Sequence, residues 1–535
     1  MKAQKALLFS IFSGLLFVFA WPVNGFSIFI FGSFVPLFFV EHSFAQSKKK
    51  YAHWRFFGWS YLVFLIWNLG TTWWLINATV FGMLFANLCN SLFFALLFQA
   101  FHWSKKRLPL RSAYLFLITL WLAFEKFHLS WDFSWPWLNL GHVFSESIYW
   151  IQWYEYTGAF GGSLWVLLVN IFLFEKLNNW TVDQGQTALV KKLIPILIVI
   201  ALPISLSLFL FQKELIPSGS VSVLVTQPNI DPYEEKYQFT NEEFLKQLNI
   251  LMEPYNQSQL DYVLTPETYF AAGNGERLKN FERSVFFQKI QENQSQYPST
   301  QLITGIQFFN AYSTATPPTR SANKIREGLW VDFYNSAIAV TPKEPIEIYH
   351  KSKLVVGVET MPYKSTIEPL LGNLLLDMGG TMSSRATQAY RSVFTHPKKG
   401  TITAPIICYE SIYGAFVTEY VQKGAQFLSI ITNDAWWGNT PGHKQLLSLA
   451  RLRAIENRRA IARSANTGIS TFISPKGELL EQLPYNKKGA LVAKVPLHEG
   501  LTFYTIYGDF IARWAGFISV LYFLLALSGR LKNKV

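Results

Sequence analysis

Cysteine is nearly absent: Cys89 and Cys408 are the only two in 535 residues. Cys89 lies in an apolar stretch, where a thiol behaves as a small hydrophobe. The two fall in different parts of the chain, so no structural disulfide is expected. Cys408 is then the one cysteine of the soluble part, and a lone thiol in an oxidising compartment is a liability unless it has a task. Charge is scarce as well. Only 15% of residues are Asp, Glu, Lys or Arg, against 50% hydrophobic and 17% aromatic, which excludes an ordinary soluble protein of this length. A mean hydropathy of +0.18 excludes the opposite extreme, a chain that is membrane throughout. A mixture of lipid-embedded and soluble parts follows. The basic excess, a net charge of +13, points to nucleic acid or to membrane topology, and the positions of the charges decide which.

Apolar runs of the ~17–25 residues needed to cross a bilayer recur near 6–21, 25–44, 56–76, 80–101, 111–127, 157–175 and 192–212, and again at 510–529. The first reads as an uncleaved span and not a signal peptide, because it ends in Trp21-Pro22 where small residues would be cleaved. Lys2 and Lys5 precede it. Lys48, Lys49, Lys50 and Arg55 separate the second and third runs, and Lys105, Lys106, Arg107 and Arg111 the fourth and fifth. Lys176, Lys191 and Lys192 lie between the sixth and seventh, and Arg530, Lys532 and Lys534 follow the last. The alternate loops are almost free of Lys and Arg, and 128–156 has none. Cytoplasmic flanks of membrane spans collect basic residues. Both ends of the chain are therefore expected in the cytoplasm and the long segment 213–507 outside it. The organisation expected is a membrane domain of seven helices over 1–212, an extracytoplasmic domain over 213–507, and a last helix with a basic tail over 508–535. No nucleic-acid partner is expected. The tryptophan-rich stretch 128–156 suits an aromatic belt at the lipid–water interface, or additionally a floor for a lipid substrate.

From 221 the pattern changes to short β-rich runs at 221–230, 261–268, 301–310, 334–342, 402–411, 426–434, 469–477 and 490–497. Helical stretches intervene at 241–257, 280–294, 412–423 and 443–463, which implies a layered α/β domain. Two segments, 311–329 and 361–399, read as long insertions. The second contains STIEPLLGNLLLDM, apolar enough for a lid that touches membrane.

Three groups with chemical potential stand just after β-rich runs: Glu267 in Leu264-Thr265-Pro266-Glu267-Thr268, Lys351 in His350-Lys351-Ser352, and Cys408 in Ile406-Ile407-Cys408-Tyr409-Glu410. In layered α/β domains ligands bind beyond the carboxyl ends of strands, so the three can converge. A thiolate is a nucleophile that needs a nearby base near neutral pH. Glu267 suits that base, and Lys351 suits the stabilisation of an oxyanion. Singly, each is more often a solvated loop residue or a packed thiol; jointly they describe acyl transfer through a thioester. His443 has no partners at metal-ligand spacing, and neither metal nor cofactor is expected.

The joint pattern P-E-T, Y-x-K-x-x-L and C-Y-E resembles the nitrilase superfamily of carbon–nitrogen hydrolases. The whole chain resembles the apolipoprotein N-acyltransferase family within it. The resemblance is carried further by W-P-W-L-N-L-G-H, V-T-Q-P-N-I, Y-N-S-A (334–337), N-D-A-W-W-G (433–438), the run 442–457 and R-S-A-N-T-G-I-S (463–470). It implies a multi-pass α-helical membrane domain of about eight spans and an αββα sandwich with a Glu-Lys-Cys triad. Glu267 would be general base, Lys351 the oxyanion-side residue and Cys408 the nucleophile. Glu359 matches a second essential carboxylate, Tyr409 and Glu410 flank the nucleophile, and Trp436 would line the pocket. Two features depart from the family pattern: L-V-V-G-V-E stands before and at Glu359 where L-V-P-F-G-E is usual, and Tyr237 stands where the family has tryptophan. The implied reaction moves an acyl chain from a phospholipid donor, typically phosphatidylethanolamine, to the N-terminal amine of diacylated apolipoproteins. The implied place is the bacterial inner membrane, with the catalytic domain on the periplasmic side. A membrane-tethered amidase of the same superfamily is the alternative, and a non-enzymatic scaffold or transporter is a third reading.

Overall fold

A computed structural model of the chain describes residues 2–180, 185–231, 236, 238–255, 259–363 and 384–529. It falls into two compact units, one of Met1–Ile76, Val80–Lys213 and Tyr507–Val535, the other of Asn77–Thr79 and Glu214–Ile506.

The first unit is helical. Helix α1 is Ala3–Ala20, α2 Val35–Ala45, α3 Ala52–Thr72, α4 Val80–Ser104, α5 Leu110–His128, α6 the single turn Tyr154–Thr157, α7 Ala159–Asn178 and α8 Gly185–Gln212; a further helix, Phe510–Ser528, belongs to the same unit. Every apolar run named above coincides with helix. Among the described residues, six helical stretches are long and apolar enough to cross a membrane: Ala3–Ala20, Ser27–Ala45, Val80–Ser104, Ala159–Asn178, Val190–Gln212 and Phe510–Ser528. The count falls below eight because α3 and α5 mix their apolar residues with Arg55, His53 and Asn68, and with Arg111, Glu125 and Lys126. Aromatic rings form the centre of this unit. Phe17 stacks on Trp67 at 4.5 Å, Trp67 on Phe94 at 5.2 Å, and Phe94 on Trp121 at 4.8 Å, joining α1, α3, α4 and α5. Each such pair adds about 0.5–1.5 kcal/mol beyond area burial. The tryptophan-rich stretch is not simply a surface belt. Trp137, Leu138, Leu140, Val143 and Phe144 are buried, and the Leu140 N–H donates to the Glu125 carboxylate at 2.7 Å.

The second unit carries the strands β1 Gly219–Gln227, β2 Tyr262–Leu264, β3 Glu276–Arg277, β4 Gln301–Tyr312, β5 Asn323–Arg326, β6 Leu329–Val340, β7 Glu347–His350, β8 Arg385–Ala386, β9 Phe394–Thr395, β10 Ile402–Ile407, β11 Phe427–Thr432, β12 Ile461–Ala465, β13 Ser470–Ile473, β14 Leu479–Leu483 and β15 Gly489–Leu497. One sheet runs β15-β1-β2-β4-β6-β5, with β3 beside β4 and with β7 and β8 beside β6; the other runs β14-β13-β12-β11-β10-β9. Within the first, β1, β2 and β4 are parallel, and within the second β10, β11 and β12 are. Strands β11 and β12 are buried along their full lengths, as central parallel strands covered on both faces must be.

Helices α9 Asn241–Met252 and α10 Val285–Ser295 cover the first sheet: Phe244, Leu248, Met252, Phe287 and Ile290 share one buried cluster with Leu224, Val263, Leu302 and Ile306. Helices α11 Gly414–Gln422 and α12 Pro441–Asn457 cover the second. The sheets face each other through Ser464 Oγ donating to the Thr226 carbonyl at 2.7 Å and through the Tyr262 and Thr401 hydroxyls at 2.6 Å. The layers are therefore αββα.

Three expectations change. The helix expected to reach 463 stops at Asn457, because Arg458 adopts φ +49, a left-handed conformation that ends a helix. The apolar residues after it begin β12. The segment 311–329 is largely a hairpin arm, since β4 extends to Tyr312 and β5 pairs with β6. The Asp332 carboxylate closes that arm by accepting from the Thr319 and Ser321 hydroxyls at 2.9 and 2.8 Å. In 361–399, β8 and β9 are short strands of the two sheets; the expected lid at 365–378 lies outside the described residues.

Candidate active site

Sheet topology alone brings the three candidate groups to one edge. Strand β7 is antiparallel to β6, which is antiparallel to β4, which is parallel to β2. Strands β2 and β7 therefore point the same way. Glu267 follows the end of β2, Lys351 the end of β7, and Cys408 the end of β10 in the facing sheet. Asn433, after β11, joins the sheets there: its N–H donates to Glu267 Oε2 at 3.1 Å.

Glu267 is a buried carboxylate with three donors. Oε1 accepts from Lys351 Nζ at 2.8 Å and from Asn335 Nδ2 at 2.7 Å, while Oε2 takes the Asn433 bond. Lys351, 1% exposed, sits between two carboxylates, with Nζ 2.8 Å from Glu267 Oε1 and 2.8 Å from Glu359 Oε2. Burial alone would pull its pKa down, but Glu267, Glu359 and Cys408 together raise it above the ordinary lysine value. It is an ammonium ion, a hydrogen-bond donor and not a base. Glu359 opposes its own burial through Lys351 and Arg385, whose charges hold its pKa below the usual value; Asn335 Nδ2 at 3.0 Å and the Val355 N–H at 2.9 Å complete its bonds.

Cys408 opens the 3₁₀ turn Cys408–Ile412 with φ +51. A non-glycine residue held in that region stores strain that the surrounding structure must enforce. Burial first, and then the Glu267 charge, push the thiol well above its ordinary pKa; Lys351 and the Thr432 hydroxyl work the other way. The resting group is a thiol with a carboxylate beside it, so any reaction as a thiolate first requires its proton to leave.

The supporting residues divide. Glu410 does not face the thiol's partners: Oε1 accepts from the Tyr349 hydroxyl and the Ser352 N–H, both at 2.6 Å, and Oε2 from the Ile407 N–H at 2.8 Å. It clamps the loop carrying Lys351 to the strand carrying Cys408. Burial lifts its pKa to about 7 against these donors. Tyr409 is buried with its ring 5.4 Å from that of Tyr413. Trp436 is half-buried in the turn Asp434–Trp437 directly after Asn433. Tyr237 lies outside the described residues. Among the described residues no group of three or more His, Cys, Asp or Glu is placed to hold a metal.

Sequence reading missed Asn335, although it lies in Y-N-S-A, and it missed Gly305. A Cβ on Gly305 would stand 2.4 Å from both the Pro266 carbonyl oxygen and the Thr268 nitrogen. Backbone cannot yield as a side chain does, so Gly305→Ala should displace the loop that carries Glu267. A misplacement of that size costs about 10²-fold in rate, read as kcat/KM beside an unchanged circular dichroism spectrum. Full activity in Gly305→Ala would show that the loop tolerates the shift.

Residues 226–500 match the family model described as carbon-nitrogen hydrolase, and residues 13–172 match that of the apolipoprotein N-acyltransferase N-terminal domain. The apolipoprotein N-acyltransferase of Chlorobaculum tepidum is 31% identical over 474 residues, covering 85% of each chain. That of Pasteurella multocida is 26% identical over 525 residues, covering 95% of this chain and 94% of its own. Among solved structures, an amidase of the nitrilase superfamily from Nesterenkonia AN1 aligns with 56% of this chain and 99% of its own, at 15% identity and a TM-score of 0.37. On the first family model's span and the Chlorobaculum alignment, the chain belongs to the apolipoprotein N-acyltransferase family.

Proposed function

We propose that this protein moves a fatty acyl chain from a phospholipid to the N-terminal amine of a diacylglyceryl-cysteine on an apolipoprotein, through a thioester on Cys408. The reading places it in the bacterial inner membrane with the catalytic unit on the periplasmic side, as the alternation of basic loops suggests. The observation that supports the chemistry most is the buried Cys408 thiol beside the Glu267–Lys351–Glu359 cluster.

In the first half-reaction Cys408 Sγ attacks the ester carbonyl carbon of the donor, typically phosphatidylethanolamine, as Glu267 takes the thiol proton. The carbonyl oxygen becomes an oxyanion, which the Lys351 ammonium stabilises. The intermediate collapses, the C–O bond breaks, and Glu267 returns the proton to the departing lysophospholipid alkoxide. In the second half-reaction the acceptor amine attacks the thioester carbonyl, loses a proton to Glu267 and forms an amide, while sulfur leaves and is reprotonated. Two substrates visiting one site in turn give ping-pong kinetics.

Incubated with phospholipid alone, the purified protein should gain the mass of one acyl chain, and neutral hydroxylamine should release it. A diacylated lipopeptide with a free amine should discharge the adduct and yield an amide, whereas its N-acetylated form should leave the adduct in place. Loss to water at a rate indifferent to the peptide, with free fatty acid as sole product, would instead make the protein an amidase-like hydrolase.

A further inference from the structure

Lys236 has no part in the chemistry above, and its placement is uncommon. Lysine is almost never fully buried unless paired, yet Lys236 is 8% exposed. Its hydrogen bond among the described residues runs from Nζ to the Thr268 hydroxyl at 2.5 Å. Thr268 follows Glu267 directly and holds φ +49, so the bond fixes the backbone step that aims the Glu267 side chain. Lys236 and Glu267 also line one small cavity, with Thr268, Asn433 and Asn466. Glu267 thus lies between cations from two separate elements. Lys351 touches it from the end of β7, and Lys236 acts on it from the segment after β1.

We propose that Lys236 is a positioning residue for Glu267: its ammonium holds Thr268 and supplies a second positive charge that keeps the carboxylate ready to accept a proton. This rests on the reading of Glu267 as general base. Burial pulls the Lys236 pKa down to about 8; the Glu267 charge opposes that, and Arg385 adds to it. Among the described residues, the titratable and charged groups around Glu267 are Lys351, Cys408 and Lys236, with Glu359 and Arg385 next to Lys351; those around Lys236 are Glu267 and Arg385. Removing a cation near a carboxylate favours its protonated form. The acid limb of the pH–rate profile, below which the base is protonated, then moves to higher pH.

The test uses the full-length protein in detergent with phospholipid and a diacylated lipopeptide. Lys236→Met keeps the length of the side chain and removes its charge. It should shift the acid limb of kcat/KM upward, with KM for the lipopeptide unchanged. Lys236→Arg should leave the limb in place. A residue that only packs would lower activity equally at every pH. Alkylation of Cys408 by iodoacetamide, in a Cys89→Ser background, needs no natural substrate and should show the same shift. A shift in alkylation without one in acyl transfer would uphold Lys236 and count against the acyl-transfer reading. A stationary acid limb in both assays of Lys236→Met would overturn the proposal.

Discussion

Cys408→Ser should leave a folded protein that neither loads nor transfers an acyl chain, with activity down by a factor on the order of 10⁵ or more, as when the nucleophile of an interdependent triad is removed. The substitution changes one atom, and serine adopts the same left-handed φ of +51 at the same cost as cysteine. The turn Cys408–Ile412 is held by groups other than the thiol, the Ser411 hydroxyl donating to the Cys408 carbonyl at 2.8 Å among them. Stability should therefore change by less than about 1 kcal/mol, within the range of near-isosteric changes. The chemistry has no such tolerance. A hydroxyl is far less acidic than a thiol, and burial with the Glu267 charge already makes deprotonation of the thiol itself costly. An acyl adduct on serine would be an oxygen ester, resistant to neutral hydroxylamine. Intact-mass spectrometry after incubation with phospholipid separates the outcomes. An adduct of wild-type abundance in Cys408→Ser would place the nucleophile elsewhere, and Cys408→Ala distinguishes residual ester formation at 408 from a different site.

What the sequence disclosed of this site, and what it withheld, follow from the range of the interactions. Glu267, Lys351 and Cys408 were legible because each ends a β-rich run, and parallel strands deliver their carboxyl ends to one edge. Asn433 was not legible as a partner of Glu267, because it contributes its backbone N–H, which every residue but proline possesses. Glu410 was legible as a neighbour of Cys408 but not as a clamp, since its partners Tyr349 and Ser352 lie about sixty residues away in the facing sheet. Gly305 carries no side chain to suggest chemistry, and only the closeness of the loop at Pro266 exposes its role. In the fold, the helix before β12 was read too long because the apolar residues around Ile461 continue the pattern of α12. The break is made by the backbone of Arg458, whose left-handed conformation no local sequence signal announces. The span count shows the same limit from the other side. Helices α3 and α5 occupy their expected places, but their polar and charged residues keep them below the apolarity of the other spans.

Lys351→Met should lower acyl loading by about 10²–10³-fold, the usual cost of removing one oxyanion donor, and should also destabilise the fold. The second effect arises because Lys351 Nζ lies 2.8 Å from carboxylate oxygens of both Glu267 and Glu359. Without the ammonium, two buried carboxylates share a site in which the nearby cations among the described residues are Arg385, 4.0 Å from Glu359, and Lys236, which acts on Glu267. Breaking one side of a buried ion pair costs roughly 3–5 kcal/mol. Low activity in Lys351→Met alone would therefore not separate chemistry from folding. The double variant Lys351→Met/Glu359→Gln does. It removes one charge of each sign, leaves Glu267 its donors Asn335 and Asn433, and lets the new amide keep the Val355 N–H bond through its carbonyl oxygen. Thermal unfolding should return most of the way to wild type, while loading from phospholipid stays down by the same 10²–10³-fold. If loading returned together with stability, Lys351 would be a counter-ion for two carboxylates and the oxyanion would be held by other donors. If stability returned without loading, while Glu359→Gln alone still loaded, the Lys351 charge would have a use that charge balance cannot replace, which is the expected result for a donor aimed at a developing oxyanion.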